Sequence, residues 1–217
     1  GRAQSPCGGF VNGFTRGRHA VIRMGMFEHI LVIGGGVGGA LAHDLVLRGY
    51  RVTLLERGEL LSGTTGRHHG LLHSGARYAL HDLEAARECW QENQILRRIA
   101  LQAIEPNGGL FVALDERDRS LQTEFVERCR SIGIPAQSTS SAQAIRMEPA
   151  LNPMLQGAVL VPDAPMDAWR LPMHFFATAS ANGAEIRNFT EVTALRVAGR
   201  TVVGVDALDH RMLNDVE

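Results

Sequence analysis

The chain has 217 residues, 45% of them hydrophobic and 21% charged, the proportions of a globular protein with a buried core rather than a disordered one. A formal net charge of -1 offers no long-range field to attract nucleic acid or an acidic membrane, so any anion must be held by local groups. Cys7, Cys89 and Cys129 form no CxxC pair, which argues against a disulfide framework or a zinc knuckle, and no apolar run approaches the roughly 20 residues that span a bilayer.

Residues 1–27 carry Arg2, Arg16, Arg18 and Arg23 with no acidic residue, and show no clear periodicity. Such a leader fits a transit peptide or an upstream extension. With Met24 and Met26 just ahead of the first strand, the extension is preferred and is expected to be disordered. From residue 28 the pattern predicts a strand at 29–33, a glycine turn, a helix at about 37–48 ending at Gly49, and a strand at 51–56. A loop rich in glycine and histidine precedes a helix at about 82–103, with Asp82 as its N-cap and Leu83, Ala86, Trp90, Leu96 and Ala100 on one face; its expected role is structural. Beyond Pro106 the texture changes, with a strand at 110–114, a helix at about 119–131, and another at about 141–146 that stops before Pro149. A strand at 157–161, a helix at about 168–182 ending at Asn182-Gly183, and strands near 185–188, 192–197 and 201–208 complete the chain.

Gly34, Gly36 and Gly39 form a GxGxxG motif directly after a strand and before a helix. Gly34 allows the tight turn, Gly36 lets the backbone approach a pyrophosphate, and Gly39 lets helix and strand pack closely. The helix N-terminus presents free N–H groups to the anion. Glu56 ends the second strand about 20 residues on, where a carboxylate accepts the ribose hydroxyls and disfavours a 2′-phosphate, hence NADP. The 30–56 segment is therefore a βαβ dinucleotide unit, with NAD and FAD both open on this pattern alone.

The loop at 62–78 narrows the choice. Its small residues, hydroxyls and backbone donors can approach a second phosphate and a flat ring closely. His73, Arg77 and Tyr78 supply a titratable base, a fixed cation and a phenol within six positions, a trio suited to oxidising an anionic alcohol. For Arg77 the rival reading is a structural ion pair, and for Tyr78 core packing. His68 and His69 read as solvated or backbone-bonded loop histidines. Zinc held by His68, His69 and His73 is a weak reading, and no metal is expected.

The motif at 34–39 and Glu56 are joined by Thr64-Thr65-Gly66-Arg67, His69-Gly70-Leu71-Leu72-His73-Ser74-Gly75-Ala76-Arg77-Tyr78, Ala86-Arg87-Glu88-Cys89 and Glu92-Asn93-Gln94-Ile95-Leu96. With Gly109-Leu110-Phe111, Glu148-Pro149-Ala150, Val161-Pro162-Asp163 and Arg170-Leu171, the chain over about 28–205 resembles the FAD-dependent glycerol-3-phosphate dehydrogenases, above all the catalytic A subunits of anaerobic bacterial enzymes. The resemblance implies an α/β fold of the amino-acid-oxidase type: a Rossmann-like FAD-binding domain at 28–105 and 168–217, with part of an inserted α+β substrate domain at 106–167. It implies FAD contacts at Gly34, Gly36, Gly38, Gly39, Glu56, Arg57, Thr64, Thr65, His69, Gly70 and Leu71, with Val192 beside the adenine. It places Arg77 and Tyr78 at the substrate phosphate and His73 near the flavin. The implied reaction is glycerol 3-phosphate to dihydroxyacetone phosphate, with hydride passing to flavin N5 and electrons passing to quinone through partner subunits. The implied location is the cytoplasm, peripheral at the inner face of the cell membrane.

Two departures stand out: Gly38 occupies a position usually polar, and His68 one commonly asparagine. Family members continue into a further flavin-contacting glycine segment and further substrate-binding arginines. The chain is accordingly expected to be a fragment or the product of a broken reading frame, binding FAD weakly and not turning over alone. Two rivals are a 2-hydroxy-acid dehydrogenase or amino-acid oxidase of the same fold, and a noncatalytic nucleotide-binding fragment.

Overall fold

The structure is a computed structural model that describes residues 19–23 and 29–213; the remainder of the expected extension, and Cys7, lie outside the described residues. In chain order the elements are β1 (His19–Arg23), β2 (His29–Ile33), α1 (Val37–Leu47), β3 (Arg51–Leu55), β4 (Leu71–Leu72), α2 (Leu83–Ile99), β5 (Gly109–Ala113), α3 (Glu116–Ser131), β6 (Gln137–Thr139), α4 (Ser141–Met147), β7 (Gly157–Val161), β8 (Ala164–Pro165), α5 (Arg170–Ala181), β9 (Glu185–Arg187), β10 (Thr190–Ala198) and β11 (Thr201–Asp209). They fall into two compact units, Gly1–Arg67 with Pro172–Glu217, and His68–Leu171.

In the first unit β2, β3 and β9 form a parallel sheet in the order β2-β3-β9, and α1 joins β2 to β3. Parallel neighbours need a crossover, and α1 supplies it, so the expected βαβ unit is present. Val32, Val52 and Leu54 of the sheet are buried against Ala42 and Val46 of α1 and Phe176 and Ala179 of α5. The helix α1 stops at Leu47 because Gly49 takes φ +89°, a left-handed conformation that glycine adopts without a Cβ clash. Strands β1, β10 and β11 make a separate antiparallel sheet in the order β1-β11-β10. His19–Arg23 thus pairs with β11 although the sequence there gives no strand periodicity, since pairing partners at the far end of the chain leave no local mark.

The second unit is built on an antiparallel sheet ordered β5-β7-β6. β7 is central and buried on both faces: Val159 and Val161 pack with Phe125, Val126 and Cys129 of α3 and Ala86 of α2, while Ala158 packs with Ala144 of α4. The expected domain limit near 105 lies inside this unit, because α2 buries Ala86 and packs Trp90 against the same core. The helix predicted to reach 103 ends at Ile99. Ala100 leaves helical geometry, and the backbone at 103–105 is instead recruited by 165–167: Ile104 bridges Met166, Asp167 N–H donates to the Ala103 carbonyl, and Glu105 N–H donates to the Pro165 carbonyl. α3 starts three residues earlier than predicted, where the Asp115 side chain accepts the Asp118 N–H and caps the helix. Among the described residues no helix is long and apolar enough to cross a membrane.

Candidate functional site

In the first unit the glycine turn is built almost wholly from backbone. Gly34 takes φ +97° and its N–H donates to the Leu55 carbonyl, which closes the turn across β2 and β3. At Gly36 a Cβ would stand 2.6 Å from Thr65 Oγ1, so a side chain there would collide with the short 3₁₀ turn Thr64–Arg67. Gly36 is also the N-cap of α1, which has no side-chain cap and no acidic residue in its first turn. Its free N–H groups and positive dipole end are therefore open to an anion. The packing roles of the last two glycines differ from expectation. Close approach of helix to strand falls at Gly38, where a Cβ would meet Val32 at 2.9 Å, whereas at Gly39 it would meet the Phe176 ring of α5 at 2.7 Å. The aromatic partner, distant in sequence, is what the local motif could not disclose.

Glu56 is anchored on both sides, its Oε2 accepting the Gly35 N–H at 2.6 Å and its Oε1 the Gly58 N–H at 2.9 Å. The carboxylate thus stands beside the glycine turn with its remaining lone pairs available to hydroxyl donors. Thr190 N–H donates to the Glu56 carbonyl, which brings the start of β10, and so the segment carrying half-buried Val192, to the same end of β3. Arg57 and Thr64 are exposed and Thr65 is half-buried.

In the second unit the histidine loop is organised by Asp163. This residue, 7% exposed, sits in the link between β7 and β8, where Gly109 leaves it room: a Cβ there would lie 2.9 Å from that of Asp163. Its Oδ2 faces His73 Nδ1 at 2.8 Å, and its Oδ1 accepts the Ser74 N–H at 2.7 Å and the Ser74 hydroxyl at 2.5 Å. A second chain of bonds secures the backbone: Asn93 Nδ2 donates to the His73 carbonyl, Arg97 Nε to Asn93 Oδ1, and the Arg97 guanidinium to the Pro162 carbonyl. Sequence reasoning assigned no role to Asp163, Ser74, Asn93 or Arg97. The usable signal was Asn93, seven residues after Ala86 and hence on the apolar face of α2, where a polar residue needs a buried partner.

His68 Nδ1 accepts the Gly70 N–H and His69 Nδ1 the Leu71 N–H, so both are backbone-bonded loop histidines; the His69 ring also meets that of His73 edge to face, 5.1 Å between centroids. Leu71 is partly exposed, and Gly70 takes φ +68° with its carbonyl accepting the Met166 N–H. Among the described residues no His, Cys, Asp or Glu cluster is arranged to hold a metal. Arg77 and Tyr78 follow in a 3₁₀ turn, Ala76–Tyr78, started by Gly75 at φ +90°. Both are exposed, with the guanidinium carbon 5.5 Å from the Tyr78 ring centroid. Among the described residues no carboxylate pairs with Arg77, and Tyr78, 40% exposed, is not a core residue, so neither structural rival is realised. A cavity of about 560 Å³ in this unit is lined by Arg97, Asn107, Arg130 and Asp163 but by none of His73, Arg77 and Tyr78. A smaller one, about 210 Å³, borders Arg77, Phe111 and Phe125.

A parallel βαβ unit with an uncapped glycine-turn helix and an acid directly after β3 defines a dinucleotide-binding fold, and the FAD dependent oxidoreductase family model matches residues 29–213. The chain belongs to that family, and its cofactor is FAD. It is 50% identical, over 182 residues, to the A subunit of anaerobic glycerol-3-phosphate dehydrogenase from Escherichia coli (strain K12), covering 83% of this chain and 34% of that protein. The chain thus spans about a third of the length of the curated relatives it matches. Among solved structures, L-proline dehydrogenase from P. horikoshii superposes with a TM-score of 0.74 at 24% identity, covering 84% of this chain and 49% of that one. L-alpha-glycerophosphate oxidase from Mycoplasma pneumoniae with FAD bound gives 0.65 at 24%, covering 79% and 47%. At these identities the two structures speak for the fold alone. The first unit's residues fit the cofactor: the turn excludes a Cβ at Gly36, and the open helix end suits a diphosphate.

Proposed function

We propose that this chain carries the FAD-binding turn and part of the substrate site of an enzyme that oxidises sn-glycerol 3-phosphate to dihydroxyacetone phosphate. The observation that carries this reading is the exposed Arg77–Tyr78 pair, which has no carboxylate partner among the described residues, four positions after an anchored histidine. A guanidinium left open in this way is suited to a phosphate oxygen, and the adjacent phenol can donate to the same group. His73 takes the proton of the C2 hydroxyl as the carbon gives up its hydride, leaving the ketone. FAD, when bound, supplies the two-electron acceptor. The main-chain turn at Gly34 and Gly36, with Gly38 and Gly39 behind it, would hold the cofactor diphosphate, and Glu56 the ribose. Arg57, Thr64, Thr65, His69, Gly70, Leu71 and Val192 are the further residues proposed to line it. The Escherichia coli relative is one component of a larger dehydrogenase, which supports partner subunits here. We extend the reading to quinone as the final acceptor and to peripheral attachment at the inner face of the cell membrane.

The test is a ligand comparison on the purified chain supplied with FAD, followed at the flavin band at about 450 nm. Glycerol 3-phosphate should perturb that band, and Arg77→Ala should weaken the response at least tenfold, about 1.4 kcal/mol. A stronger response to 2-hydroxyglutarate or to an amino acid would reject the substrate named here.

A further inference from the structure

We propose that Asp163 is a positioning residue for His73, fixing the imidazole with its proton on Nδ1 and leaving Nε2 as the bare lone pair that receives the substrate proton. The choice of tautomer follows from the carboxylate, and Ser74 fixes which of its oxygens meets the ring. Its main-chain N–H can only donate, and its hydroxyl donates to the same oxygen, Asp163 Oδ1, at 2.7 and 2.5 Å. These two bonds fix which carboxylate oxygen turns to the ring. Oδ2 meets His73 Nδ1 at 2.8 Å, and an ionised carboxylate has no proton to give, so the neutral imidazole must supply it.

The surroundings prevent the pair from rotating apart. Ser74 is wholly buried and Asp163 nearly so, whereas the His73 side chain keeps 32% of its surface exposed, which leaves part of the ring open. The His73 carbonyl is held by Asn93, whose Oδ1 accepts from Arg97, and Arg97 returns to the carbonyl of Pro162, the residue before Asp163. Ring and backbone of His73 are therefore tied to the same short segment, 162–163, by two independent routes. A histidine needed only for packing would not require this; a base that must present one nitrogen does. The arrangement makes an otherwise structural helix, α2, a support for the reacting group.

The base role assigned to Nε2 rests on the proposed oxidation, but the tautomer does not, and the two can be tested apart. The experiment is nitrogen-15 NMR of histidine-labelled protein, reading which ring nitrogen of His73 carries the proton in the neutral form, in the native chain and in Asp163→Asn. In the variant the two Ser74 donors should draw the amide oxygen to the Oδ1 position and turn the NH₂ group toward His73, which reverses the ring to Nε2–H. A fold maintained by packing alone would not move this signature. The expected result is Nδ1–H in the native chain and Nε2–H in Asp163→Asn, with Ser74→Ala retaining Nδ1–H because its main-chain donor remains. Nε2–H in the native chain overturns the proposal, as does an unchanged tautomer in a folded Asp163→Asn. If that variant does not fold, the native spectrum and Ser74→Ala still decide it. Loss of the glycerol 3-phosphate response with Nδ1–H preserved would count against the substrate and not against the pairing.

Discussion

The turn at 34–39 and the His73–Asp163 pair present functional groups by opposite means. The first exposes backbone: its conformation comes from glycines within six residues, and a side chain at Gly36 would collide with Thr65. The second exposes a side chain, and its orientation comes from a carboxylate 90 residues away, delivered by the β7–β8 link. A backbone site tolerates little substitution at its glycines, yet it is written in one short stretch of sequence. A side-chain site depends on pairs that the fold must bring together. Predictions that cross the two modes test this division most sharply.

The largest effect should come from a backbone position inside the side-chain site. Gly75 takes φ +90°, and a Cβ there would lie 2.4 Å from the Ala86 carbonyl oxygen and 2.8 Å from Cys89 Cβ. The clash is with helix backbone, which cannot swing aside, and the left-handed conformation adds its own penalty. Gly75→Ala should destabilise the second unit by roughly 3 kcal/mol or more. Both tryptophans of the chain, Trp90 and Trp169, belong to that unit, so their fluorescence in a urea titration reads it selectively. A midpoint unchanged from the native chain would remove the claim that the turn carrying Arg77 and Tyr78 is locked onto α2.

The converse substitution removes a side chain from the backbone site. Glu56 braces the turn through Gly35 and the following loop through Gly58, and is the residue proposed to hold the ribose. Glu56→Ala should lower FAD affinity by about tenfold to a hundredfold, or 1.4 to 2.8 kcal/mol. Equilibrium titration with flavin fluorescence measures it. Binding as tight as in the native chain would mean that the glycines alone define the site.

These contrasts explain what was legible in the sequence. The βαβ unit, its motif and its acid were readable because strand period, glycine spacing and helix start all lie within 30 residues. The trio His73, Arg77 and Tyr78, which stands as a proposal, is likewise drawn from one short stretch. Asp163 was not, since nothing in Val161-Pro162-Asp163 announces that its carboxylate turns toward a loop so far back in the chain. The exchange of roles between Gly38 and Gly39 was hidden likewise, because Phe176 reaches α1 only in the folded unit. The short strands β4, β6 and β8 have two or three residues each, too few for alternation to register. The apolar face of α2 is legible as a face, but its end is set by pairing between 103–105 and 165–167, which propensity does not contain.

The smallest effect concerns a second paired histidine, in the first unit, whose environment is the reverse of that of His73. His29, 2% exposed, stands opposite Arg51 on the neighbouring strand; Nδ1 meets the Arg51 guanidinium at 3.1 Å and Nε2 meets Thr53 Oγ1 at 2.9 Å, and that hydroxyl donates onward to Glu185. A guanidinium has only donors, so Nδ1 accepts and the neutral ring carries its proton on Nε2, the tautomer opposite to that inferred for His73. Burial first, and then the Arg51 charge, hold the His29 pKa below its ordinary 6.5, with Glu185 opposing. The unfolded chain therefore takes up a proton near 6.5 that the folded chain refuses until lower pH, so the contribution of His29 is fully present above 6.5 and is lost as pH falls through the folded value. Asp44, Asp167 and Asp209, held below 3.8 by their arginine and backbone donors, lose their contributions only in a more acid range. Unfolding of the first unit, followed by hydrogen exchange at the amides of β3, should thus become easier as pH falls below 6.5, and His29→Gln should flatten that slope. An equally steep slope in the variant would assign the loss to another group and leave His29 a neutral packing residue at every pH.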